Sequence, residues 1–417
     1  MKNNAEIRIL NILVLYCAYT ARTNLLENLY SFRNYTPHRI YYFNVAARKL
    51  PRLIADSPWD LIVFHTLFFA RRFDRDRQIA AFAKVAALSS NRVPKVLTPQ
   101  DEFINGDIVC DFARAIGASA ICTVQPPSVW PTVYGDLAEV ELRSVLTGYI
   151  DPSRVGKCAK YLLASHRREI DVGYRTSGKP LPWFGRHGYL KEAIAQRFSV
   201  ALSRTNLTYN ISTESKDALI GECWYDFLGN CNYVIGVEGG TSIYDHDGSI
   251  KANVEAFLKE NPMATFEEIE SKCFPGIDRK FKGFSISPRH FEACFTGTCQ
   301  VLTEGDYSGI LKAYQHYIPV SKDLSNIDEV ISMMKDDNLR KSIVANSYRD
   351  IVQSGLYSVD RYPSTVIGAI DSYPDQKHHW IQSLRMFLIY WVLYLLDAAD
   401  CRIAKIRTQY KRWFISK

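Results

Sequence analysis

Short apolar runs, separated by amphipathic stretches of helical spacing, recur along this chain and restrict its fold more than any other feature. In the first part they are "ILNILVLYCAY" from Ile9, "HRIYYFNV" from His38, "DLIVFHTLFFA" from Asp60, "VPKVLTP" from Val93 and "ASAICTV" from Ala118. Between them, "TARTNLLENLYSFR" and "RDRQIAAFAKVAALSS" carry apolar positions at helical spacing, with Thr20 or Thr23 as a cap for the first. Strands alternating with helices predict a parallel sheet wrapped by helices. Turn residues then cluster in "SVLTGYIDPSRVG", and a second set begins. It reads as strand "REIDVGYR", helix "GYLKEAIAQRFSVAL", strand "NLTYNIS", helix "KDALIGECWYDFLG" and strand "CNYVIGVE". "TFEEIESKCF" follows with a capping-box pattern, Thr265 and Glu268. Strand "GFSIS", the helix opening at Ser287, strands "CQVLT" and "HYIPV", and two helices from Ser325 complete the set.

A chain of 417 residues is long for one core and fits two. The expected fold is therefore α/β, with two tandem Rossmann-like domains facing a cleft. Residues 1–155 form the first, 156–350 the second, and 351–417 a returning helix and tail. Ligands in such sheets bind at the C-terminal ends of the strands.

A content of 47% hydrophobic and 23% charged residues excludes a disordered chain. Ten cysteines without a Cys-x-x-Cys pair argue against a disulfide framework and a zinc site, and for reduced thiols in the cytoplasm. "ILNILVLYCAY" could pass for a signal-peptide core, but Asn11 interrupts it and no basic cluster precedes it. A buried first strand is the better reading.

Arg175 closes a strand, and a loop with Gly178, Gly185 and Gly188 leads to Lys191 at the start of the next helix. Amides at a helix start with two cations nearby suit a diphosphate, although the Gly-x-Gly-x-x-Gly spacing is absent. A structural loop with surface cations is the alternative. "VIGVEGGTSIYDHDGSI" is a second glycine-rich strand exit, with Glu238, Asp245 and Asp247; its Asp-x-Asp pair reads as a solvated turn, and no metal or cofactor is expected. Glu292, ahead of a small-residue turn and a strand, could point into the cleft and accept both hydrogens of a ribose diol. Arg289 and His290 adjoin it and could meet the same ligand. In the first domain Asp101 and Glu102 follow a strand end, where a base could reach an acceptor hydroxyl. A capped helix start explains them equally. His65 has the same placement, with a core histidine as the plainer reading.

At "FEACFTGTCQVL" the chain resembles the nucleotide-sugar glycosyltransferases of the two-Rossmann-domain class, GT-B, whose segment reads "EA-small-x-G-x-P-V". "EGDYSGILKAYQHYIPVSKDLSNIDEVI" likewise resembles the end of bacterial polysaccharide-type transferase domains. The likeness runs over roughly residues 170–350 and is only topological before that. It implies that Glu292 holds the donor ribose and that Gly297 and Thr298 bring backbone close to the donor. Arg175 and Lys191 would grip its diphosphate, with Asp101 the candidate base. One position departs: Phe284, beside Ser285, stands where many retaining members carry another glutamate. The implied activity is sugar transfer from a nucleotide-sugar donor to a glycan or lipid-linked acceptor in cell-surface polysaccharide synthesis, without a cofactor. A non-catalytic nucleotide-sugar binder and an epimerase of the same architecture are the alternatives.

The tail holds an apolar run, Met386 to Leu396, too short for the roughly 20 residues that span a bilayer. Six basic residues and no acidic one follow from Arg402 to Lys417. This reads as an interfacial helix, residues 380–417, on the anionic inner face of a membrane; packing back on the first domain is the alternative. Nucleic acid is not expected, because the cations cluster in an amphipathic tail.

Overall fold

The computed structural model describes residues 8–19, 23–163, 167–176, 181–370, 373, 385–400 and 402. It divides into two compact units: Met1–Val124, Tyr134–Val145 and Tyr362–Lys417 in the first, Gln125–Val133 and Leu146–Arg361 in the second. Each carries one parallel sheet, so the α/β class with two Rossmann-like sheets holds.

In the first unit, β1 (Asn11–Tyr16), β2 (Arg39–Asn44), β3 (Leu61–Phe64), β4 (Lys95–Leu97), β5 (Ala120–Thr123) and β6 (Glu141–Ser144) lie in the order β2-β1-β3-β4-β5-β6. Val14 is level with Tyr42 on one side and Val63 on the other. Every residue of β1 is buried, as a strand covered on both faces must be. Among the elements that were not legible are the edge strand β6, mostly exposed, and the Gly106–Ile116 helix behind its Asn-Gly turn. That helix buries Phe112, whose ring stacks on Phe82 at 4.1 Å. The run at Asp60 is a strand only to Phe64; His65 then caps a 3₁₀ turn over Thr66–Phe69.

Residues 385–400 are helical and belong to this unit. Met386, Ile389 and Leu393 are buried, and Asp397 accepts from Tyr16 Oη at 3.0 Å and Arg33 Nη2 at 3.3 Å. Asp400 pairs with Arg48 at 2.8 Å. Packing against the protein is thus real for one face of the helix. Phe387, Leu388, Trp391, Val392 and Leu395 stay exposed on another. Most of the basic run, 403–417, lies outside the described residues. Among them no helix is long and apolar enough to cross a membrane.

In the second unit, β7 (Ile170–Arg175), β8 (Tyr209–Ser212), β9 (Cys231–Gly236), β12 (Cys299–Thr303) and β13 (Tyr317–Val320) form a parallel sheet ordered β13-β12-β9-β7-β8. "GFSIS" is not part of it: β11 (Gly283–Ser285) pairs antiparallel with β10 (Gly239–Thr241). One face of the sheet is covered by the Arg186–Leu202, Ile327–Met333 and Asp337–Ser347 helices around Ile194, Phe198, Val330 and Ile343. On the other, Tyr225, Phe291, Phe295 and Tyr307 pack together. The helix expected from Lys216 starts only at Glu222, after Gly221 at φ 66°. The Phe266–Cys273 helix has its full capping box, and a Ser249–Glu260 helix was not foreseen.

Candidate functional site

The strand order of the second sheet reverses between β7 and β9, so connections leave these strands toward opposite faces and open a crevice at their C-terminal ends. Arg175 ends β7, but its guanidinium turns along the sheet. Nη1 donates to Tyr174 O and Asn210 O, both at 2.8 Å, and Nη2 to Asn210 Oδ1 at 2.7 Å. The group also lies 4.4 Å from the Phe227 ring centre. Its carbonyl, in turn, accepts from Arg289 Nη1 at 3.0 Å. The cation fixed at the strand end is therefore Arg289, reaching across from the Pro288–Thr296 helix, whose N1 proline is preset for a helix start.

One turn along that helix, Glu292 Oε2 accepts the indole N–H of Trp224 at 2.7 Å. The Trp224 ring stacks on Phe227 with centres 5.9 Å apart, and the Arg289 guanidinium lies 5.8 Å from it. Arg175, Phe227, Trp224, Arg289 and Glu292 thus form one connected cluster. The indole bond orients the Glu292 carboxylate, a group with about four acceptor positions. A fixed cation, a fixed carboxylate and a half-buried ring face complement a phosphate, a diol and a flat base.

On the opposite side of the crevice, His187 Nε2 lies 3.1 Å from Glu238 O, just past β9, and its ring packs on Phe284 at 4.5 Å. Burial, helped by the Lys191 charge, pushes the imidazole down to about 4. Lys191 is one turn further on the same helix face, in the second turn rather than the first. The Glu238 carboxylate is buried and accepts Tyr307 N–H at 2.6 Å; burial raises its pKa. The helix start itself is occupied. Asp278 Oδ1 accepts from Arg186 N at 3.3 Å and from Ser242 Oγ at 2.6 Å, so a carboxylate of the chain takes the place sketched for a phosphate. Gly178 lies outside the described residues.

Gly297, Thr298 and His290 do not lie where they were expected. Gly297 and Thr298 close the Pro288–Thr296 helix ahead of β12, at the N-terminal edge of the sheet, because a crossover helix runs back along its strands. Thr298 Oγ1 donates to Leu228 O at 2.7 Å, and Arg168 ties the same edge through Cys231 O at 2.7 Å and Thr296 O at 2.7 Å. Neither residue can meet a ligand at the end of β7. His290 is 1% exposed, with Nδ1 2.9 Å from Gln300 Oε1 and its ring edge-on to Tyr307, which makes it a core residue. Burial lowers its pKa to about 3. Asp245 and Asp247 cap the Ser249–Glu260 helix through the amides of Ile250, Lys251 and Ser249; the pair is a turn, as expected, but Asp245 is buried rather than solvated.

In the first unit Asp101 follows β4 with a left-handed backbone, φ 61°, a conformation that aspartate adopts more readily than most non-glycine residues. Its carboxylate pairs with Arg72 and is partly exposed. Glu102 is buried instead, accepting from Thr123 Oγ1 at 2.6 Å and Tyr134 Oη at 2.7 Å, and burial raises its pKa. His65 is fully buried, its Nδ1 accepts from Leu67 N at 3.2 Å, and its pKa falls to about 3. Its core reading stands.

Comparison with protein families and with curated proteins finds no match. Among solved structures, the chain is similar to Anabaena Alr3699/HepE in complex with UDP-glucose, at 13% identity and TM-score 0.43 over 86% of this chain and 98% of that one. It is similar to T4 phage BGT in complex with its UDP-glucose substrate, at 9% identity and TM-score 0.48 over 87% and 100%. A UDP-forming trehalose-phosphate synthase from Burkholderia xenovorans aligns at 10% identity and TM-score 0.45 over 87% and 98%.

Trp224, Phe227 and His187 are residues of this candidate site that the sequence did not single out. Trp224 sits inside a run that reads as helix core, "ECWYDFLG", where an aromatic draws no notice. His187 was visible only as part of a glycine-punctuated loop. Its position four residues before Lys191 was the available signal.

Proposed function

We propose that this chain is a glycosyltransferase that holds a nucleotide-sugar donor at the C-terminal ends of β7 and β9. The observation that carries the reading is the helix turn in which Arg289 reaches the last carbonyl of β7 while Glu292 is held by the Trp224 indole. In this reading Glu292 accepts the ribose hydroxyls and Arg289 and Lys191 face the diphosphate. Arg175 positions Arg289 through its carbonyl. An acceptor hydroxyl oxygen bonds to the anomeric carbon as the bond to the diphosphate breaks; the electron pair leaves with the nucleotide, and Asp101 takes the hydroxyl proton. Charge grows on the diphosphate along this path, so cations already in place bind the transition state more tightly than the substrate.

The acceptor in this reading is a glycan, free or lipid-linked, in cell-surface polysaccharide synthesis. The protein would work at the cytoplasmic face of a membrane, with residues 380–417 on anionic lipid. The exposed Phe387, Leu388, Trp391, Val392 and Leu395 and the cations after Cys401 support that placement. A second reading has one observation of its own: Phe284, where the resemblance has a glutamate, lies against His187. That substitution suits a binder without transfer.

The test is free nucleotide released from a panel of nucleotide sugars, with and without lipid-linked acceptors, by the wild type and by Arg289→Ala and Lys191→Ala. Both variants should lose turnover by at least about tenfold more than they lose donor affinity, roughly 1.4 kcal/mol. Donor binding with no release from any sugar would establish the second reading.

A further inference from the structure

A groove of about 380 Å³ opens elsewhere in the second unit, between the Gln125–Val133 segment and the chain around β10 and β11. That volume is within the range of small-ligand sites. One wall is aromatic: Tyr244 stacks on the buried Phe281 with ring centres 5.3 Å apart and planes at 26°. Ser128 and Thr132 also line it, and Lys280 and Lys282 are its charged lining residues. Among the described residues no carboxylate lines it.

The two lysines stand out against their surroundings. Arg186 pairs with Glu267 and Glu270, and Lys251 pairs with Glu255, so the nearby acids are used. Lys280 and Lys282 are exposed and make no ion pair among the described residues. The loop that carries them is nonetheless fixed. Asp278, two residues ahead of Lys280, is bonded to Arg186 N and Ser242 Oγ, and Arg279 takes a left-handed turn at φ 67° to bring the chain back. Through Asp278 the loop is pinned to the start of the helix that carries His187 and Lys191.

We infer that this groove binds an anionic oligosaccharide, an acceptor glycan bearing carboxylate or phosphate groups. A sugar ring lays its apolar face on Tyr244, hydroxyls on Ser128 and Thr132 meet its edges, and Lys280 and Lys282 take its charge. Two cations on a preformed rim, with no acid among the described lining residues, attract an anionic glycan with a Coulombic term that a neutral one does not gain. This rests on the transferase reading for the role of the ligand, but not for its binding.

Binding to the full chain is measured calorimetrically with hyaluronan and oligogalacturonate tetrasaccharides, with maltotetraose as the neutral comparator, with inorganic phosphate, and with UDP-glucose. At least one acidic tetrasaccharide should bind tenfold or more tighter than maltotetraose. Lys280→Ala/Lys282→Ala and, separately, Tyr244→Ala should each weaken it at least tenfold, with UDP-glucose affinity and thermal unfolding unchanged for the lysine variant. Equal affinity for neutral and acidic sugars, or displacement by phosphate at equal concentration, would overturn the inference, as would no binding of either acidic sugar. UDP-glucose binding without glycan binding sinks only this inference; glycan binding without any nucleotide-sugar binding sinks the transferase reading instead.

Discussion

Replacing Glu292 by Gln changes one atom in the most connected part of the proposed donor site. The carboxylate accepts the Trp224 indole N–H at 2.7 Å, a charge-assisted bond at a half-buried position. Such bonds contribute about 1.5–3 kcal/mol, and a neutral bond about 1. The amide can still accept from the indole with its oxygen, so the fold should lose no more than about 2 kcal/mol. Toward a ribose diol the amide offers one acceptor and one donor, so one hydroxyl loses its partner. That costs about 1–3 kcal/mol, a weakening of roughly 5- to 150-fold in UDP-glucose affinity. Calorimetry on the variant, beside circular dichroism and a melting curve, gives both quantities. Trp224→Phe is the companion: it keeps a ring against Phe227 but frees the carboxylate to rotate, and should weaken the donor by less. Unchanged affinity in a folded Glu292→Gln protein would remove this residue from the site.

Other outcomes follow from the same contacts. Arg168 joins five oxygens at the N-terminal edge of the second sheet with no carboxylate partner among the described residues, so Arg168→Ala should destabilise by on the order of 3–5 kcal/mol in urea unfolding. His290 has its pKa lowered from 6.5 to about 3 by burial, so the folded state resists protonation. Its stabilising contribution is complete above pH 6.5 and is lost as pH falls toward 3, by up to about 1.4 kcal/mol per unit; His290→Gln should flatten the acid limb of a stability–pH curve. In the tail helix, Leu388→Ser with Trp391→Ser should abolish flotation with anionic vesicles and leave the melting temperature unchanged, because both side chains are exposed. Leu393→Ala, at a buried position, should instead destabilise by about 2–5 kcal/mol.

The central strands of both sheets were legible because they are largely apolar and spaced by helices, a signal that burial on both faces enforces; the exposed edge strand β6 carries no such signal. What escaped was set by local turns and tertiary contacts. The Gly106–Ile116 helix hides behind turn residues, and β11 leaves the main sheet because Gly239–Thr241 offers it an antiparallel partner. For the site, the sequence located the strand end and the helix but not the direction of the side chains. Arg175 and Arg289 both lie at the end of β7, and only the fold shows that Asn210 engages the first while the second reaches the Arg175 carbonyl. Gly297 and Thr298 were misplaced because a motif in one line of sequence spans a helix with two ends, and only one of them lies at the strand termini that bear ligands.

The most direct test of the proposed donor site is the position of UDP-glucose in a crystal of this protein grown or soaked with it. The account predicts nucleotide density at the ends of β7 and β9, with diphosphate oxygens in hydrogen-bond reach of Arg289 and Lys191 and the ribose hydroxyls on Glu292. Density for an ordered nucleotide anywhere else in the second unit, with that crevice empty, would contradict it.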